Sequence, residues 1–289
     1  MTATLEQAPA AAAAGAIAAP ARRGRRVRAG LSLRAPSGAA LGLVVMWLSL
    51  LVILPLAAVV GHAFDNGWHG FWSEISRQDA ASAVRLTIGL ALAVAVVNGV
   101  MGTFVAWVLV RDRPRGAAVF EMVIDIPFAL PTVVAGLVML VVYGSDGFGP
   151  TLLGTRWGLF VTLLFVTLPF TVRTVQPVLL DLDRDAEQAA ASLGASPATV
   201  FRRIVLPQIM PAVASGAALA FARALGEYGS LVFIAGSLGF APQLIYGKVQ
   251  DTGVHAQQQA AALATVLLLA SAVVLVLLDV LQRRVARRG

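Results

Sequence analysis

Six long apolar runs separated by short polar stretches organise the chain, near 39–61, 84–110, 119–143, 157–180, 208–236 and 258–281. Each is close to the roughly 20 residues that an α-helix needs to cross about 30 Å of hydrocarbon. The pattern predicts an all-α membrane protein with six transmembrane helices. Pro127, Pro131, Pro169 and Pro177 interrupt the third and fourth runs, where kinks or partial breaks are expected. Arg223, Glu227 and several glycines lie inside the fifth. Between the fourth and fifth runs, residues 187–207 (EQAAASLGASPATVFRRIVLP) are too polar for lipid and read as two short helices joined by a hinge. Gly194 suits the left-handed position that ends the first helix; Ser196 suits the N-cap of the second, and Pro197 its first turn. Asp183, Asp185 and Glu187 put negative charge where the first helix's dipole favours it. Ala186, Ala189, Ala190 and Leu193 form a narrow stripe of mostly small side chains, against which another backbone can approach closely.

Composition agrees with a membrane protein: of 289 residues, 58% are hydrophobic and 13% charged, and the mean hydropathy is +0.81. The net charge of +7 is a matter of topology. Sixteen arginines fall on one side: Arg22, Arg23, Arg25, Arg26, Arg28 and Arg34 before the first span; Arg111, Arg113 and Arg115; Arg184, Arg202 and Arg203; and Arg283, Arg284, Arg287 and Arg288. The opposite side holds four basic residues, Arg77, Arg85, Arg156 and Lys248. The positive-inside rule then puts both termini and the 181–207 loop in the cytoplasm. The expected organisation is a disordered basic extension (1–38), a first span (39–61), a transmembrane domain (80–282) and a basic tail (283–289). The Ala-rich start does not read as a signal peptide, because its arginines follow the apolar residues instead of preceding them.

Several functions are excluded. The only lysine, Lys248, precedes Val249 in no phosphate-cradling loop, so any ATP must be hydrolysed by another polypeptide. Cysteine is absent, and His62, His69 and His255 lack metal-ligand spacing, so neither a metal nor a cofactor is expected. No basic domain interleaved with aromatics suggests a nucleic-acid partner. Membrane lipid is the surrounding medium.

Arg223 and Glu227 are placed near mid-membrane on one face of the fifth span, i and i+4 apart. Charged groups at that depth are functional candidates by default. Arg223 suits an anion path restrained by Glu227; a structural ion pair is the plain alternative. Asn98, with Gly89, Gly99 and Gly102, suits either helix packing or a polar path.

The 187–207 segment resembles the cytoplasmic signature of membrane subunits of ATP-binding-cassette importers: E-A-A, three residues, Gly, nine residues, Ile-x-Leu-Pro. Gln188-Ala189-Ala190, Gly194 and Ile204-Val205-Leu206-Pro207 keep that spacing, with Gln188 in place of Glu and Glu187 one position earlier. The resemblance implies a type I importer permease fold, in which Glu187, Gln188, Ala189, Ala190, Gly194, Ile204, Leu206 and Pro207 couple to an ATPase dimer on the cytoplasmic side. Ala222-Arg223-Ala224-Leu225-Gly226-Glu227-Tyr228-Gly229, Phe233-Ile234-Ala235-Gly236, Phe128-Ala129-Leu130-Pro131-Thr132 and Leu168-Pro169-Phe170 look like the sulfate and molybdate permease branch. The similarity is greatest to the sulfate/thiosulfate permease of the T type. It implies a bacterial inner-membrane subunit paired with a W-type second permease and served by an extracytoplasmic sulfate-binding protein. A molybdate permease, which pairs with itself, is the near alternative. An ion-gradient-driven secondary transporter would instead carry an inverted repeat and an unpaired mid-membrane acid.

Overall fold

The computed structural model describes residues 38–286. The basic extension, with Arg22 to Arg34, and the end of the tail, with Arg287 and Arg288, lie outside the described residues. The chain divides into two units between Ser49 and Leu50. The described part of the first is helix α1 (Gly38–Leu48). The second contains α2 (Leu54–Ala63), α3 (Gly67–Ser76), α4 (Gln78–Trp107), α5 (Ala117–Ala129) and α6 (Thr132–Tyr143). It continues with α7 (Arg156–Asp181), α8 (Asp185–Ser192), α9 (Pro197–Val200), α10 (Leu206–Leu225), α11 (Ala241–Gln250) and α12 (Val254–Ala286). No strand occurs among the described residues.

Five helical stretches are long and apolar enough to span: Gly38–Ala63, Gln78–Asp112, Arg156–Asp181, Pro197–Leu225 and His255–Leu277. The third expected span is different. α5 and α6 meet at 115°, so this segment is a broken span or a re-entrant hairpin. The break has a local cause. Leu130 precedes Pro131 and is driven to extended backbone (φ −85°, ψ 135°), and Pro131 is extended too (φ −54°, ψ 138°). Pro127 stays inside α5, and Pro169 and Pro177 stay inside an unbroken α7, so the expected partial breaks are realised only at Leu130–Pro131.

The fifth span also departs from expectation. It starts at Pro197 and ends at Leu225, not at 208 and 236. Pro207 does not break it, because the preceding turn, Phe201–Val205, is a wider π turn in which the Leu206 N–H donates to Phe201 O. A proline's missing donor is accommodated where the ladder is already shifted by one residue. After Leu225 the backbone is irregular until Ala241. Such backbone is compatible with membrane depth only when protein covers it. Here Leu231, Ile234, Ala235 and Phe240 are buried, Ile234 O accepts from Gly154 N (2.9 Å), and Thr87 Oγ1 accepts from Ala241 N (2.9 Å).

α4, α7 and α10 pack against one another and form the centre of the second unit. Close approach is set by small residues: a Cβ on Gly102 would come within 2.7 Å of Thr171 Cβ, and one on Gly216 within 2.8 Å of Thr171 Cα. One buried cluster joins Val94, Leu159, Phe221 and Ile234; a second joins Leu109, Val175, Leu179, Val205 and Ile209. The second cluster abuts the polar segment and carries it.

Candidate functional site

The polar segment folds as its residues dictate. α8 begins with Asp185 and Glu187 in its first turn, and Asp183 Oδ1 accepts from the Asp185 N–H (2.9 Å). It ends in a Schellman motif: Gly194 adopts φ +85°, its N–H donates to Ala191 O (2.9 Å), and the Ala195 N–H donates to Ala190 O (3.0 Å). Two residues on, Ser196 caps α9, its Oγ accepting from the Thr199 N–H (3.3 Å), with Pro197 in the first turn. Two helices therefore meet at a hinge of one left-handed residue and one cap.

Their outward faces are bare. Ala186, Gln188 and Ala189 are exposed, Leu193 is 89% exposed, and Ala190 is half-buried. Ile204 and Leu206 are half-buried and Pro207 is exposed, while Val205 between them is fully buried in the second cluster. The second half of the motif thus anchors the hinge to the helical core.

Glu187 is turned inward. Its carboxylate takes a 2.5 Å ion pair from Arg111 Nη2, with side chains only 18% and 9% exposed respectively. Arg111 also lies over the Trp107 ring (5.3 Å) at the end of α4. This pair, 76 residues apart in the chain, links α8 to the end of the second span. Sequence reasoning counted Arg111 only as a topological charge; nothing local could match it to Glu187.

Arg223 and Glu227 do form an ion pair, but not on one helix face as expected. Arg223 sits in the last turn of α10, and Glu227 lies beyond its end. Glu227 is 1% exposed and its Oε1 also accepts from the Ser230 N–H (2.8 Å), so the acid organises the irregular segment. Arg223 is a third exposed, and among the described residues its remaining donors have no partner. Gly229 and Ser230 pack onto the start of α6: a Cβ on Gly136 would meet Ser230 O at 2.6 Å, and one on Gly229 would meet Val133 N at 3.3 Å. The two irregular breaks of the chain, at Pro131 and after Leu225, therefore touch. Asn98 is buried and donates to Thr167 Oγ1 (2.7 Å), bridging α4 and α7.

A second charged cluster was not singled out from sequence. Arg173 Nε donates to Asp125 Oδ1 (2.9 Å), and Arg173 pairs with Asp125 Oδ2 as well. Its Nη1 donates to Gln176 Oε1 (2.8 Å), and Gln176 Nε2 donates to Glu121 Oε1 (2.9 Å). The cluster fastens α5 to α7. Two acids inside an apolar run were the available signal.

Comparison with known proteins gives the frame for these features. Residues 98–288 match the family model described as binding-protein-dependent transport system inner membrane component. The sulfate transport system permease protein CysT of Synechocystis sp. is 40% identical over 251 residues, covering 83% of this chain and 87% of that one. The protein of the same name from Salmonella typhimurium is 36% identical over 276 residues, covering 91% and 96%. A crystal structure of a bacterial alginate ABC transporter, bound to its alginate-loaded periplasmic protein, superposes with a TM-score of 0.71 at 15% identity, over 86% of this chain and 94% of that one. All-helical among its described residues and matched by the family model over 98–288, the chain belongs to the inner-membrane component family of binding-protein-dependent transport systems, as a membrane transport subunit.

Proposed function

We propose that this chain is the T-type permease subunit of an ATP-driven importer for sulfate and thiosulfate. In this reading its α8–hinge–α9 segment seats in a separate ATPase, and both termini face the cytoplasm. The observation that carries the coupling role is the largely exposed stripe Ala186–Leu193, which lies between the left-handed Gly194 and the mostly covered Arg111–Glu187 pair. Gln188, Ala189 and Ala190 offer the outer surface, while Ile204, Leu206 and Pro207 tie the hinge to α10. Glu187 acts from the inner side, holding α8 to α4. The substrate assignment is supported by the relatives that carry the sulfate-transport name, and the resemblance of Ala222–Gly229 to the sulfate and molybdate branch agrees with it.

Physical chemistry agrees with an ATP-driven device. A cell interior that is negative opposes anion entry by roughly 2.3 kcal/mol per charge per 100 mV, and sulfate carries two charges. Arg223, with free donors beside a buried acid, suits a weak anion contact on the path, and Asn98 serves the packing of α4 on α7. An extracytoplasmic binding protein supplies affinity, a W-type permease supplies the other half of the pore, and alternating access follows the motion of the ATPase.

The test is uptake of radiolabelled sulfate and molybdate by a deletion strain carrying this chain with its partner genes, and by proteoliposomes with and without the ATPase subunit. Sulfate uptake that requires the ATPase supports the proposal. Molybdate preference sinks the substrate assignment, and uptake driven by an ion gradient alone sinks the coupling role.

A further inference from the structure

One large apolar groove shares only Leu206 with the site above. It occupies about 740 Å³ between α4 and α10, from Ala95 to Trp107 on one wall and from Phe201 to Ala217 on the other. Its lining is almost wholly hydrocarbon, and its one hydroxyl, on Thr103, is spent on Gly99 O (2.6 Å). Water and ions therefore have nothing to bind there. At the end of the groove nearest the 187–207 segment, its mouth, the Trp107 and Phe201 rings meet edge-on, 5.2 Å apart. The two residues after Phe201 are Arg202 and Arg203, both exposed and without an ion-pair or side-chain hydrogen-bond partner among the described residues.

Length selects the occupant. The α4 wall from Ala95 to Trp107 rises about 18 Å at 1.5 Å per residue. One leaflet's hydrocarbon is about 15 Å deep, half of the bilayer's ~30 Å. The groove thus matches one acyl chain of one leaflet and is too short for a spanning helix. Aromatic rings at the mouth and arginines just beyond it are what a headgroup region calls for, and two uncompensated guanidiniums favour an anionic headgroup.

We propose that this groove binds one acyl chain of an anionic phospholipid from the leaflet on the coupling side, with the phosphate held by Arg202 and Arg203. The proposal rests on reading 187–207 as the coupling segment at the membrane surface. It places a lipid against the π turn that joins α9 to α10, where the bilayer's anionic content would tune coupling.

The experiment is native mass spectrometry of the purified importer after incubation with phosphatidylglycerol or phosphatidylcholine vesicles. The wild type should retain one phosphatidylglycerol per copy, with at least a tenfold preference over phosphatidylcholine. Arg202→Gln/Arg203→Gln should abolish the preference, and Ala214→Phe, which fills the groove, should abolish retention. The arginine pair lies on an exposed turn, so that arm stands even if Ala214→Phe fails to assemble. The proposal is overturned if the wild type retains no lipid, if the arginine variant keeps its preference, if Ala214→Phe keeps its lipid, or if inorganic phosphate displaces the lipid. It is likewise overturned if Met210→Cys, unique in a cysteine-free chain, cross-links through the groove to another subunit. Labelling of Leu193→Cys in inverted and right-side-out vesicles tests the orientation separately. Access from outside alone would remove the coupling reading and leave the lipid count unaffected.

Discussion

Glu187→Ala isolates what links α8 to the second span. The ion pair with Arg111 is short and its side chains are mostly covered, so each charge has little water to fall back on. Removing one member of a buried, hydrogen-bonded charge pair costs roughly 2–5 kcal/mol, much of it the penalty of leaving the other charge unpaired. Arg111 keeps its place over Trp107 and gains some solvent when the acid is lost, so the lower end, about 2–3 kcal/mol, applies here. At about 1.4 kcal/mol per decade, the docked arrangement of α8 becomes roughly 30- to 150-fold less favoured. ATP hydrolysis by the attached ATPase should continue while sulfate uptake per ATP falls by at least tenfold. The assay is paired measurement of phosphate release and sulfate accumulation in the same proteoliposomes. Arg111→Ala should give the same phenotype, and Arg111→Glu/Glu187→Arg should recover a substantial part of the uptake. Two results refute the reasoning: unchanged uptake per ATP in both single variants, or a reversed pair no better than either single change. The second result, together with loss of ATPase co-purification in Glu187→Ala, would assign the carboxylate to the ATPase instead.

Gly194→Val should abolish uptake and ATPase co-purification while membrane insertion, followed by fractionation, stays normal. No atom would meet a Cβ there within 4 Å, so the penalty is the left-handed backbone itself, roughly 1–2 kcal/mol and more for a β-branched residue. Gly102→Ala and Gly216→Ala should each lower stability by about 1–3 kcal/mol, read as a lower Tm in detergent, because each new methyl meets Thr171 closer than 3.0 Å. Arg223→Gln should destabilise by about 3–5 kcal/mol, leaving Glu227 buried and unpaired, and Arg223→Gln/Glu227→Gln should recover the Tm. If that double variant also regains wild-type uptake, Arg223 has no place on the anion path.

What could be read from sequence was what is decided locally. The Gly194 turn, the Ser196 cap and Pro197 each act within four residues, and all three stand where their chemistry puts them. Hydropathy located five spans, because crossing hydrocarbon demands a continuous apolar run. The misses are non-local. Arg111 meets Glu187 and Arg173 meets Asp125 across 76 and 48 residues, and no periodicity connects such pairs. The end of the fifth span was obscured because Leu231 to Ala235 is as apolar as a helix, yet here it is irregular backbone covered by α6 and by the loop before α7. Pro207 looked like a boundary because its accommodation depends on the π turn before it.

That widened turn has a mechanical corollary. Phe201–Val205 holds one residue more than a regular turn, and one residue of an α-helix is about 100° of screw and 1.5 Å of advance. A pull on α9 can therefore be taken up by passing the spare residue along the rod, rotating one end against the other without unravelling either. A motor docked at the hinge would then act as a wrench as much as a piston.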